Sequence, residues 1–166
     1  MGTFQIGRLL LIQTANEMIR KATRNEIPIL VGMMQEYSKQ SPVPVLQSVE
    51  VHDVDHVGNL FLQMISGRGF VLIDEHYRGF LAAIITNNVW CPSVRELHEL
   101  AWWVKPEYRE STIGGRLWKE FNDRAGQMIK EKRIDFACTS VLANSPLIDY
   151  TKRGYQVMEA TFFRDK

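Results

Sequence analysis

The sequence predicts an α/β domain built around a mixed sheet. Two observations carry that expectation. Short apolar runs and helix-periodic segments follow one another in the order β-α-α-β-β-β-α-β-α-β, and no repeat, linker or low-complexity tract interrupts them. The chain has 166 residues, the length of one ordinary domain with a single core.

Each element has its own signal. Met18 to Ala22 reads as a short strand. Thr23 is a candidate N-cap, with Glu26 as its capping-box partner, and Ile27, Leu30, Val31, Met34 and Tyr37 recur at helical spacing. Ser41-Pro42-Val43-Pro44 ends that helix, because proline cannot continue the hydrogen-bond ladder. A second helix is expected from about Val49 to Ile65, with Val54, Val57, Leu60, Phe61 and Met64 on one side and Gly67 and Gly69 at its end. Phe70 to Asp74 and Phe80 to Ile85 read as a hairpin joined by E-H-Y-R-G. Arg95 to Val104 is a fourth strand, Thr112 to Lys130 a long helix, Ile134 to Val141 a strand and Ser145 to Lys152 a short helix. Gly154 opens a last strand, Tyr155 to Phe163. Residues 1 to 17 read as an N-terminal extension and residues 18 to 166 as the domain.

Composition narrows the classes of function. The formal net charge of +1 leaves no global footprint for nucleic acid or an anionic membrane. The apolar run Leu9 to Ile12 is too short to span a bilayer, and no small-residue cleavage pattern follows it. Two cysteines, Cys91 and Cys138, lie far apart and form no C-x-x-C pair. Free thiols in a reducing cytoplasm are the simplest reading. The pattern leaves room for a homodimer.

Most of the chemistry is concentrated in V-K-P-E-Y-R-E-S-T-I-G-G-R-L, Val104 to Leu117. This stretch leaves a strand, turns at Pro106 and enters a helix through Ser111, Thr112, Gly114 and Gly115. The unpaired N–H groups and the dipole of a helix start favour an anion. Arg109 offers a planar guanidinium for phosphate oxygens. The turn therefore suggests a pyrophosphate site. Its bland counterpart is an ordinary strand–helix turn capped by Ser111 or Thr112.

This stretch resembles the V-x-P-x-x-R-x-x-G-x-G/A-x-x-L signature of the GNAT superfamily of acyl-CoA-dependent N-acetyltransferases. N-S-P-L-I-D-Y-T-K-R-G-Y, Asn144 to Tyr155, resembles that family's Asn-then-Tyr helix ending in Gly plus an aromatic residue. The resemblance covers roughly residues 18 to 163. It implies the GNAT fold, a mixed, mostly antiparallel central sheet flanked by helices, with splayed fourth and fifth strands. It implies acetyl-CoA as cosubstrate and an amine as acceptor. Arg109, Glu110, Ser111, Thr112, Ile113, Gly114 and Gly115 would cradle the pyrophosphate, and Asn144 would bond the pantetheine arm. Trp102, Trp103 and Val104 end the fourth strand, where the backbones of Trp102 and Val104 would bond the pantetheine amides. Thr112 departs from the pattern by replacing its first glycine. A positive φ there would strain a β-branched residue, whereas a negative φ would leave its hydroxyl available to a phosphate.

Acetyl transfer to an amine needs a base, because a protonated amine has no lone pair. His98 and Glu96 share one face of the fourth strand and Glu99 the other, and any of the three is a candidate. L-H-E-L-A resembles the His-bearing strand of serotonin N-acetyltransferase. Tyr150 occupies the family's tyrosine position, where a phenol protonates the departing thiolate. Two alternatives stay open: a GNAT-shaped module that binds acyl-CoA or a protein without turnover, and a member that modifies a protein amine or a nucleic-acid base.

His52-Asp53-Val54-Asp55-His56 places two histidines four apart, but no third ligand is identifiable and a solvated surface explains the run. No metal is expected. Lys130, Lys132 and Arg133 suit the C-terminal dipole of the long helix.

Overall fold

The computed structural model describes residues 18–143, 145 and 148–165. Strand β1 (Ile19–Lys21) leads through a 3-10 turn (Arg24–Glu26) into α1 (Ile27–Ser38). Pro28 sits in the first turn of α1, where its missing N–H costs nothing. Two 3-10 turns, Pro44–Gln47 and Val49–Val51, precede α2 (Val54–Gln63). Then come β2 (Gly69–Asp74), β3 (Gly79–Asn87), β4 (Arg95–Val104), α3 (Ile113–Lys130) and β5 (Phe136–Cys138).

The sheet runs β1-β2-β3-β4-β5, antiparallel throughout except for a parallel β4–β5 pair. Helices cover both faces. On one, Leu30, Val31 and Met33 of α1 and Phe61 of α2 pack with Val71, Ile73, Phe80, Ala82 and Trp103. On the other, Ile113, Leu117, Phe121 and Met128 of α3 pack with Phe70, Leu72, Leu81, Leu97 and Val104. Double coverage explains why β2 and β3 read as continuous apolar runs instead of alternating ones. Gly69 opens β2 at φ 153°, and a Cβ there would stand 2.1 Å from the Ala83 carbonyl oxygen, so the tight entry requires glycine.

Three expectations need correction. Residues Tyr155–Phe163 form no strand, and Val157, Met158, Phe162 and Phe163 stand exposed. β-propensity acts through cross-strand neighbours, and no described strand pairs with this segment. The expected helix from Ser145 is, among its described residues, only a 3-10 turn, Tyr150–Arg153, and Gly154 closes that turn at φ 84°. The expected helix over Val49–Ile65 is split, because Asp53 caps α2 by accepting from the His56 N–H at 2.9 Å. His52 therefore lies outside the helix, and the two histidines do not share a helix face.

The register between β3 and β4 shifts once. Ala82 pairs with Ala101 and Ala83 with Glu99, so Leu100 is an extra residue and forms a β-bulge. β5 pairs with β4 only at Glu96, Leu97 and His98, and past that point the two strands part. Among the described residues no helix is long and apolar enough to cross a membrane. Residues 1–17 lie outside the described part of the chain.

Candidate active site

The parting of β4 from β5 sets the geometry. The Lys105 N–H donates to the Arg78 carbonyl at 2.8 Å, so the backbone of Lys105 faces β3. Alternate residues of an antiparallel ladder face the same neighbour, which places Trp103 and Ala101 with Lys105. Trp102 and Val104 therefore turn their N–H and C=O groups to the opposite, open side. The Val104 carbonyl accepts from Arg109 Nε at 3.1 Å, which ties the loop to the strand end and leaves the Val104 N–H facing outward.

The turn beyond β4 begins with a 3-10 turn, Pro106–Tyr108. The Ser111 hydroxyl donates to the Tyr108 carbonyl and accepts from the Ile113 N–H at 3.3 Å. Ser111 is thus the local cap. The Ile113 side chain is fully buried and anchors α3 in the core. Thr112 has φ −79° and ψ −5°, an ordinary helical conformation, so replacing a glycine there stores no strain. A Cβ on Gly115 would meet nothing within 4 Å, and one on Gly114 would make ordinary contact with Val104 and Trp102. Packing within the protein does not demand either glycine. Arg109, Glu110, Ser111, Thr112 and Gly115 are exposed along this turn.

Four of the predicted catalytic residues converge where the strands separate. His98 Nε2 lies 2.5 Å from Glu96 Oε2, and the amide of Asn88 donates to the other oxygen of Glu96. Glu99 is buried one residue before the bulge. It accepts from the Thr139 hydroxyl at 2.9 Å and from the Ser140 N–H at 3.5 Å. Burial pushes its carboxyl up to about 7, against the opposing pull of those two bonds. Burial likewise raises the Tyr150 phenol, opposed by a hydrogen bond with Thr139. Thr139 therefore bonds Glu99 and lies near enough to Tyr150 to act on its phenol. The Tyr150 ring packs against Trp118 and Tyr155, with centroids 6.1 and 6.0 Å away. Tyr37 from α1 completes the surroundings, its phenol pushed up to about 12 by burial and by the nearby Glu99 charge. Asn144 lies outside the described residues.

The sequence reading missed Thr139 and the bulge. Thr139 shows only as a polar residue following the apolar run Phe136-Ala137-Cys138. Its partners lie about 40 residues upstream on β4 and 11 downstream, and no local pattern brings these together.

A strand–turn–helix with outward strand N–H groups stands beside the buried Glu99 and the half-buried Tyr150. The family model for Acetyltransferase (GNAT) matches residues 31–155. The chain belongs to the GNAT acetyltransferase family. Among solved structures, a predicted acetyltransferase of Clostridium acetobutylicum, crystallised with acetyl-CoA, is similar at a TM-score of 0.66 and 15% identity, over 90% of this chain and 96% of that one. An aminoglycoside acetyltransferase from an uncultured soil metagenomic sample, solved with trehalose, gives 0.59 and 14% over 90% and 95%. AAC(6')-Iy, solved with the bisubstrate analogue CoA-S-monomethyl-acetylneamine, gives 0.60 and 14% over 92% and 99%. At these identities the likeness shows that the GNAT fold is shared. No curated protein matches the sequence.

Proposed function

We propose that this GNAT domain transfers an acetyl group from acetyl-CoA to a primary amine by direct attack, without a covalent enzyme intermediate. The observation that carries the reading is the buried Glu99, which accepts from the Thr139 hydroxyl at 2.9 Å, with Tyr150 next to that hydroxyl, at the point where β4 leaves β5.

The cosubstrate would lie along the open edge of β4. The outward N–H groups of Trp102 and Val104 suit the pantetheine amides. The pyrophosphate would sit over the first turn of α3, where Gly114 and Gly115 allow close backbone approach and Arg109 and Thr112 flank the anion. A close-approaching ligand gives a reason for two glycines that packing does not require. The helical φ of Thr112 supports retained binding of the cosubstrate.

Glu99 is the base in this reading, since His98 Nε2 is engaged by Glu96. A carboxyl at about 7 exchanges a proton readily at neutral pH. Glu99 takes a proton from the acceptor ammonium, and the freed lone pair attacks the thioester carbonyl. A β4 backbone N–H beside the bulge stabilises the developing oxyanion. The C–S bond breaks, Tyr150 protonates the sulfur, and Thr139 passes the proton held by Glu99 on to Tyr150. The nitrogen's second proton leaves through Glu99 to solvent. The products are an amide, CoA thiol and one released proton.

The charges around the junction indicate the acceptor class. Glu96 and Glu159 both lie close enough to Cys138 to raise its thiol, behind the larger effect of burial, and Glu99 is adjacent. Carboxylates gathered at the acceptor side favour a cationic small amine or peptide amine over a nucleic-acid base.

Isothermal titration with acetyl-CoA, beside an Arg109→Ala, Gly114→Trp variant, tests the cosubstrate. Binding by the wild type that is lost in the variant is expected, and no binding by the wild type overturns the reading. CoA-thiol release over a panel of diamines, aminoglycosides and lysine peptides tests the transfer. Release with none of them, by protein that binds acetyl-CoA, overturns the enzymatic step.

A further inference from the structure

Beside the proposed proton line lies a second cluster that acetyl transfer does not use. Cys138 and His98 are register partners across the parallel β4–β5 pair, and Glu96 stands two residues before His98 on the same strand. Each residue contributes a donor atom, and these atoms all lie within 4.8 Å of one another. Among the described residues this is the one group of three such side chains able to surround an ion.

We infer that Glu96, His98 and Cys138 form a binding site for a zinc-like divalent metal ion, with one carboxylate oxygen, one imidazole nitrogen and one thiolate sulfur as ligands. Metal–ligand lengths of about 2.0–2.3 Å in a tetrahedron put ligand atoms roughly 3.3–3.8 Å apart. The observed spread reaches this range with small side-chain rotations. In particular, the 2.5 Å contact between His98 and Glu96 opens as both turn onto the metal. Two paired backbones already hold the ligands, so little ordering remains to be done.

The donor set selects the ion. A soft sulfur with an imidazole suits zinc or cobalt and not magnesium or calcium, which prefer oxygen alone. Glu96 is almost wholly buried, and the Asn88 amide holds its second oxygen, the kind of outer partner that orients a ligating carboxylate. Glu159 adds negative charge near the sulfur. Three protein ligands leave a fourth position for water. On binding, the Cys138 S–H bond breaks, an S–metal bond forms and the proton goes to solvent. Glu99, Thr139 and Tyr150 are not ligands, so the site stands whether or not the acetyl-transfer reading does.

The test uses the full, tag-free chain with Cys91→Ser. The sequence has two cysteines, so Cys138 is then the only thiol. Titration with cobalt(II) under a non-thiol reductant is expected to saturate at one ion per chain. It should show a thiolate-to-cobalt charge-transfer band in the near ultraviolet and four-coordinate visible bands, and zinc should displace both. Cys138→Ser in addition should abolish the near-ultraviolet band. His98→Gln and Glu96→Gln should each weaken binding about tenfold or more. No charge-transfer band in the Cys91→Ser chain overturns the site. A band of undiminished affinity in the folded Glu96→Gln, His98→Gln double variant also overturns it, since sulfur alone would then hold the metal. Should that variant fail to fold, thiol labelling of the Cys91→Ser chain decides: zinc is expected to slow Cys138 labelling at least tenfold, and an unchanged rate overturns the proposal.

Discussion

At the β1–β2–β3 end of the sheet, buried carboxylates are each clamped by an arginine. Arg20 grips Glu26 through both terminal nitrogens at 3.0 and 2.6 Å, and the Thr23 N–H and Tyr77 hydroxyl add to the clasp. The Arg20 bond, against the opposing effect of burial, holds Glu26 down to about 2. Burial would raise Asp74, but Arg78, at 2.8 Å on both of its oxygens, and the N–H groups of Arg78 and His76 bring it below its ordinary value. At the β4–β5 end, Glu99 is buried as deeply, and the partners that act on it are a hydroxyl and one long N–H bond. It rises to about 7. A guanidinium fixes a carboxylate in one charge state and joins distant elements. Glu99 lacks that fixing. Holding it near neutrality costs stability and leaves a group that can gain and lose a proton.

The signs of the two regions are opposite. Glu26, depressed on folding, contributes stability above its unfolded value of about 4.5, and that contribution is lost as pH falls toward 2. Glu99, raised on folding, contributes stability below about 4.5 that is lost as pH rises through about 7. The comparison breaks if variants at the two ends behave alike.

The largest expected effect is on Glu99→Gln, where kcat/KM should fall about 1000-fold, within the range for a lost general base. The rate limb near pH 7 should vanish with it. Chemical denaturation at pH 8 should show no loss of stability, since the charged form that burial disfavours is gone. Unfolding of that variant at pH 8 by several kcal/mol would make Glu99 a structural residue.

Glu26→Ala should do the reverse. Leaving Arg20 without its partner should cost about 3 kcal/mol in denaturant melts, while kcat/KM of the folded fraction changes little. Tyr150→Phe should lower kcat about 100-fold and leave KM for acetyl-CoA near its wild-type value, as steady-state kinetics can show. Thr139→Val, which cuts the line between base and acid while keeping the shape, should cost about tenfold in kcat. It should also raise the apparent pKa of the Glu99 limb, because a bond to the charged carboxylate is removed. A fall in that pKa would show that Thr139 does not donate to Glu99.

Much of the frame was legible because its signals are local. The periodicity of α1 and α3, the E-H-Y-R-G hairpin and the run Val104 to Gly115 each depend on residues near one another in sequence. Each appears with boundaries shifted by a few residues. The expected sixth strand shows the limit. Tyr155 to Phe163 has strand composition, but a strand needs a neighbour, and among the described residues the edge strand at this end of the sheet is three residues long. The faces of Ala101 to Val104 relative to Glu99 were equally hidden. Strict alternation along Arg95 to Val104 gives every residue a side, and the extra residue Leu100 breaks that count.

By itself, the sequence determined the α/β class, the element order as far as β5 and the strand–turn–helix from Val104 to Gly115, because periodicity, proline and glycine act over a few residues. It also supplied Glu96, His98, Glu99 and Tyr150 as residue types suited to proton transfer. Only the tertiary structure decided which of them work together. The parting of β4 from β5 after His98 and the position of Thr139 are set by the register between strands some 40 residues apart, and the bulge at Leu100 by the register of β4 on β3. That register is fixed by packing on both faces of the sheet, and no local pattern encodes it.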